Sequence, residues 1–133
     1  MMDRKAEAVA RKADGYNCAQ AVDCTYCDYA GVDEPTMKNL TAALGGGLGT
    51  GQGTCGAIVG AGVVLGGFFK ERAAAMRAMQ SLVKTFEARN GAVTCCELKG
   101  IGTGRMLRAC NDCVADAAEI LASLLTEAGA EEK

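Results

Sequence analysis

Eight thiols and no imidazole define the chemistry open to this chain. Cys18, Cys24, Cys27, Cys55, Cys95, Cys96, Cys110 and Cys113 fall within 133 residues that contain no histidine. A Cys–His hydrolase site and a histidine-containing zinc site are therefore excluded. What remains is thiolate chemistry: disulfide redox, or an all-cysteine metal or iron–sulfur site. Two Cys-x-x-Cys spacings occur, Cys24 with Cys27 and Cys110 with Cys113. Both fall on long predicted helices, whereas structural zinc pairs favour knuckle loops. In a regular helix the Cα atoms of Cys24 and Cys27 lie roughly 5 Å apart. A local disulfide is geometrically allowed there but constrains little. Surface thiols without a role are the favoured reading for that pair, and dimer cross-linking is the alternative.

The elements that must position these thiols read as all-helical. Alanine and leucine dominate, β-branched runs are scarce, and Pro35 is the one proline. A first helix is predicted over about 3–13, with Ala6, Val9, Ala10 and Ala13 on an apolar stripe. Asp14-Gly15 ends it through a glycine stop. Asn17 caps a second helix over about 18–30, and Pro35 suits the first turn of a third, to about Leu44. Gly45 to Gly53 is too glycine-rich for any regular element. Thr54 is expected to cap a helix from Cys55 to about Phe69. A long helix over about 71–89 follows, with Met76, Met79, Leu82, Val83 and Phe86 in one arc as core filler. Thr94-Cys95-Cys96-Glu97 has the form of a capping box that opens a short helix. After Gly100 to Gly104 a last helix runs through about Thr126. The fold class expected is a single all-α domain over 1–133, a bundle of about five helices plus a short turn.

Helical geometry sorts the thiols, at about 100° per residue. Cys18 shares a face with Val22, Thr25, Tyr26 and Tyr29, so it points inward, while Cys24 and Cys27 fall on the opposite, outward face. On the last helix Cys110 centres the stripe of Val114, Ala117, Leu121 and Leu124, with Cys113 at its margin. Cys18, Cys55, Cys95 and Cys96 all stand at helix starts. Unpaired N–H groups and the positive end of the macrodipole stabilise a thiolate there. The plainer reading of any one of these is a buried cysteine serving as a small hydrophobe.

Gly56 and Gly60 are four apart, as are Ala57 and Ala61, which gives a flat face where a backbone or a bound group can come close. Both glycines are carried as candidate cofactor-binding positions, beside a plain helix-crossing role. The penalty of about 1 kcal/mol per interior glycine needs such a reason. Gly47-x-Gly49-x-Gly51-x-Gly53 superficially looks like a phosphate cradle. No strand precedes it and no Lys-Ser or Lys-Thr follows, so nucleotide binding is disfavoured.

Taken together, these residues resemble the C-GCAxxG-C-C family, small bacterial proteins regarded as redox-active. The central signature is Cys55-Gly56-Ala57-Ile58-Val59-Gly60, and the early element is Gly15-Tyr16-Asn17-Cys18-Ala19-Gln20-Ala21-Val22. Cys96-Glu97-Leu98-Lys99-Gly100 resembles the third cysteine element, and Cys110 the fourth, with Val114 to Glu119 following. The resemblance implies a four-cysteine centre of Cys18, Cys55, Cys96 and Cys110, in genes often near transporter genes. Cys24, Cys27, Cys95 and Cys113 are additional to the pattern. Cys95 is thus an alternative to Cys96, and Cys113 to Cys110.

The expected function is a redox-active cysteine protein working by thiol–disulfide exchange or electron transfer, with an unknown redox partner or a small oxidant. No cofactor is required for that chemistry. The alternatives are zinc or an iron–sulfur cluster held by Cys18, Cys55, Cys96 and Cys110, and a small-ligand module built on the glycine-rich loop. With 14 basic and 16 acidic residues and no basic block, nucleic acid is not expected as a partner. The longest apolar stretch, 57–69, is short of the about 20 residues that span a bilayer. The charged first residues carry no apolar signal core, and the chain is expected in the cytoplasm, as a homodimer if the glycine- and alanine-faced helix pairs with a copy.

Overall fold

The computed structural model describes residues 4–131. Eight α-helices follow in order: α1 (Arg4–Ala13), α2 (Cys18–Thr25), α3 (Cys27–Ala30), α4 (Glu34–Leu40), α5 (Gly56–Phe69), α6 (Arg72–Asn90), α7 (Cys95–Lys99) and α8 (Cys110–Glu127). A π-type turn, Gly47–Gly51, lies between α4 and α5. No strand occurs among the described residues, so the fold is all-α.

Local chemistry explains most boundaries. Asn17 accepts from the N–H of Gln20 while the Gln20 side chain returns to the Asn17 N–H, a complete capping box that starts α2. Asp33 caps α4 and places Pro35 in its first turn. Gly31, Gly91 and Gly100 close α3, α6 and α7 in the left-handed conformation that a Cβ disfavours. The helix expected over 18–30 is two helices, because the backbone leaves helical geometry at Tyr26 (φ −112°, ψ 16°). There the Thr25 hydroxyl donates to the Ala21 carbonyl, and the Tyr26 hydroxyl is drawn to the Ala118 carbonyl of α8. Thr54 does not cap α5, since Cys55 itself occupies the cap position. Thr94 precedes α7 but makes no side-chain cap bond, so the capping box read there does not form.

The core is built around α2 and α5. Every residue of α2 is buried, against α1, α4, α5 and α8. The close α2–α5 crossing depends on two glycines. A methyl at Gly60 would overlap the Ala19 carbonyl, and one at Gly56 would overlap the Cys18 sulfur. The space beside both candidate cofactor-binding glycines is therefore filled by α2. A helix-packing role offsets their propensity cost of about 1 kcal/mol each.

Three faces differ from expectation. In α1 it is Ala8 that is buried, while Ala6, Ala10 and Ala13 are exposed. The helix is rotated so that Arg4 turns inward, pairing with Asp28 at 2.7 Å and lying over the Tyr29 ring at 4.8 Å. In α6, Leu82 and Phe86 are fully buried but Met76 is 50% exposed, because its end of the helix runs past the core. In α8 the inward face centres on Cys113, Ala117 and Leu121, leaving Cys110 half-buried at the bundle edge.

One isolated antiparallel bridge, Thr54 to Thr94, matters more than its size suggests. The Cys55 N–H donates to the Val93 carbonyl (2.7 Å), and the Cys95 N–H donates to the Gly53 carbonyl (2.9 Å). Two chain segments forty residues apart thus enter α5 and α7 side by side.

Candidate functional site

Five cysteines meet where the starts of α2, α5, α7 and α8 converge. Cys18, Cys55, Cys95, Cys110 and Cys113, with Gly56, Leu98, Lys99 and Arg108, line a void of about 10 Å³. That is room for about one water-sized molecule. Cys18, Cys55, Cys95 and Cys113 are each 5% exposed or less. Cys110 is the one thiol of the five that is half-open to solvent. All eight cysteines are free thiols.

Within this cluster two pairs of thiols influence each other most, Cys110 with Cys18 and Cys113 with Cys55, and the Cys113 thiol also faces the Arg108 carbonyl at 3.9 Å. The Cys18 thiol is held down to about 5, above all by the bond from Cys110, against the opposing effect of burial. Its sulfur also accepts from the Gly46 N–H at 3.3 Å and from the first N–H groups of α2. Cys55 is lowered in the same way, first by Cys113 and then by the Ala57 and Ile58 N–H groups at the start of α5. Donors at a helix start near a sulfur favour a thiolate, although the Ile58 N–H is also bonded to the Cys55 carbonyl at 3.0 Å. Cys110 and Cys113 shift upward, first through the neighbouring sulfur of Cys18 or Cys55 and second through burial. Each pair thus sets a thiol with a lowered pKa, at the start of α2 or the cap of α5, against a thiol with a raised pKa on α8.

Cys95 is the fifth sulfur. Burial raises its pKa, and the Lys99 ammonium one turn on opposes that. A methyl at Gly47 would stand 2.7 Å from the Cys95 Cβ, so the π-type turn packs directly on this thiol. Lys99 is itself raised, first by Cys95 and also by Cys110 and Cys18. Arg108 reaches the same void while forked onto Asp116 at 3.0 and 3.2 Å.

Of the four candidate residues named from sequence, Cys18, Cys55 and Cys110 are brought together. Cys96 is half-buried on α7 and does not line the void. Cys95 and Cys113 stand in the cluster. The signal for Cys113 was its place in a Cys-x-x-Cys spacing. The signal for Cys95 was its position directly after the helix cap. Among the described residues no group of three or more Cys, Asp or Glu is arranged to hold a metal ion.

Cys24 does not face outward. It is 1% exposed, packed with Ala30 and Met37, and Cys27 lies half-buried beside it. Amphipathic sorting fails on α2 because that helix is surrounded on all sides. Burial first, and then the neighbouring Asp23, push the Cys24 thiol up to about 12. Its sulfur also faces the Glu34 carbonyl, at 4.0 Å. A surface hollow of about 650 Å³ beside Arg11, Tyr16 and Glu34 is lined by no cysteine.

The family model described as "Putative redox-active protein (C_GCAxxG_C_C)" matches residues 16–124, which include all eight cysteines and the whole thiol cluster. No curated protein and no solved structure gives a significant match. No helix among the described residues is long and apolar enough to cross a membrane. With its signature cysteine at the cap of α5 and its match spanning most of the sequence, the chain belongs to the C_GCAxxG_C_C family.

Proposed function

We propose that the chain is a dithiol–disulfide redox protein whose centre is two thiol pairs, Cys18 with Cys110 and Cys55 with Cys113. The observation that carries this reading is the convergence of Cys18, Cys55, Cys110 and Cys113 on one small void, with the Gly46 N–H aimed at the Cys18 sulfur at 3.3 Å. In each pair the α8 thiol loses its proton, a sulfur–sulfur bond forms, and two electrons pass to an acceptor. Reduction reverses this, and the sulfur set free on α2 or α5 leaves as a thiolate already stabilised by helix N–H groups. Good leaving groups of low pKa speed that exchange. The half-open Cys110 is the point at which a larger reductant meets the centre.

The test is a thiol count with peptide mapping on reduced and diamide-treated protein. The expected result is loss of two to four thiols, recovered by dithiothreitol, with peptides linking Cys18 to Cys110 or Cys55 to Cys113. An unchanged thiol count, or links confined to Cys24 and Cys27, would sink the reading.

A further inference from the structure

Access decides what such a centre can take. Cys18, the thiolate with the most donors, is 5% exposed and faces a void of about 10 Å³. A protein disulfide or a glutathione-sized molecule cannot bring its sulfur to Cys18 through that space. A molecule whose reacting end is one oxygen atom can. Lys99 closes the same void and forms no carboxylate ion pair among the described residues. Its ammonium faces sulfur instead, with Cys95, Cys110 and Cys18 as its electrostatic neighbours. The second cation, Arg108, is committed to Asp116. The cluster therefore combines a nucleophile, a resolving thiol, a proton donor and room for one small polar group.

From this we infer that the centre reduces a small peroxide, of the hydrogen peroxide class, with Cys18 as the attacking thiol, Lys99 as proton donor and Cys110 as resolving thiol. The inference rests on the dithiol reading above. The Cys18 sulfur attacks one peroxide oxygen, the O–O bond breaks, and a sulfenic acid forms as sulfur gives up two electrons. The departing hydroxide takes a proton from Lys99 and leaves as water. Cys110 then returns its thiol proton to Lys99 and attacks the oxidised sulfur. The S–O bond breaks, the S–S bond forms, and the second hydroxide leaves as water on the same relayed proton. Lys99 regains a proton from solvent. Two thiols and one peroxide give one disulfide and two waters, and an external thiol reductant resets the centre at Cys110.

The test uses the full chain, reduced, mixed with hydrogen peroxide and separately with cumene hydroperoxide, and followed by linked-peptide yield. Hydrogen peroxide is expected to oxidise Cys18 faster than it oxidises free cysteine at equal thiolate concentration, and faster than the bulky peroxide does. Cys18→Ser should abolish the rapid phase. Lys99→Met should slow it about a hundredfold, the usual scale for losing a general acid. Alkylation of Cys18 by iodoacetamide, whose leaving iodide needs no proton, should change far less in Lys99→Met, and Lys99→Arg should restore part of the peroxide rate. Diamide-driven linking of Cys18 to Cys110 with a peroxide rate no better than that of free cysteine would overturn this inference and leave the dithiol reading standing. Equal slowing of peroxide and iodoacetamide in Lys99→Met would remove Lys99 from the reaction. Failure of diamide to link either pair would remove both readings together.

Discussion

The two ends of α2 carry the same side chain in opposite chemical states. At the first helical position Cys18 is held down to about 5, while in the last turn Cys24 is pushed up to about 12. Both are buried, 5% and 1% exposed, so desolvation disfavours the anion at either end. The difference lies in what faces the sulfur. Cys18 meets N–H groups and a donating thiol. Cys24 meets the Asp23 carboxyl and a backbone carbonyl, which repel negative charge. Abundance of cysteine is therefore a poor guide to reactivity here, and helix polarity is a good one.

The sharpest way to break that contrast is substitution at each end. Cys18→Ser should eliminate the Cys18–Cys110 linkage and the redox cycling that depends on it, whereas Cys24→Ser should leave cycling intact. Equal loss in the two variants, measured by thiol count after diamide and dithiothreitol, would contradict the contrast. Next in size, Gly56→Ala drives a methyl into the Cys18 sulfur. Overpacking typically costs about 1–3 kcal/mol, more than the roughly 1 kcal/mol alanine gains in a helix. A lower melting temperature and weaker thiolate absorbance near 240 nm are expected, and an unchanged absorbance would show that Cys18 is held by other groups. Asn17→Ala removes the capping box at the reactive end, for about 1 kcal/mol of stability. It should also shift the alkylation midpoint of Cys18 upward from about 5, read by iodoacetamide labelling against pH.

The smallest effect concerns the other end. Asp23 is fully buried, accepts from Thr41, and has one oxygen without a partner, so burial raises its pKa to about 7. A raised folded-state pKa means its contribution is present in full below about 4 and is lost as pH rises through 7. Asp23→Asn should flatten the fall in stability over that window, checked by denaturant titration at pH 5 and pH 8. An unaltered slope would assign the fall to other groups.

Much of the arrangement was legible from local pattern. The Asn17–Gln20 box, the helix start at Cys18 and the breaks at Gly31, Gly91 and Gly100 all follow from side chains within a few residues. The inward direction of Cys18 followed from simple periodicity. Periodicity misled where a helix is enclosed, as with Cys24, or where a charged residue turns inward, as Arg4 does toward Asp28 and the tyrosine rings. The choice of Cys95 over Cys96 rests on the Gly53–Cys95 backbone bond. That contact joins segments forty residues apart, and no local propensity encodes it.

Cys110 and Cys113 occupy successive turns of one helix, yet their partners sit on α2 and α5, far upstream in the chain. Bridging either pair would close a loop of many tens of residues, which in the chain-entropy account restricts the unfolded ensemble by about 4 kcal/mol. Electron status would then be recorded as mechanical robustness. The oxidised form should outlast the reduced one in the face of heat or a protease, so that spent molecules persist longer than fresh ones.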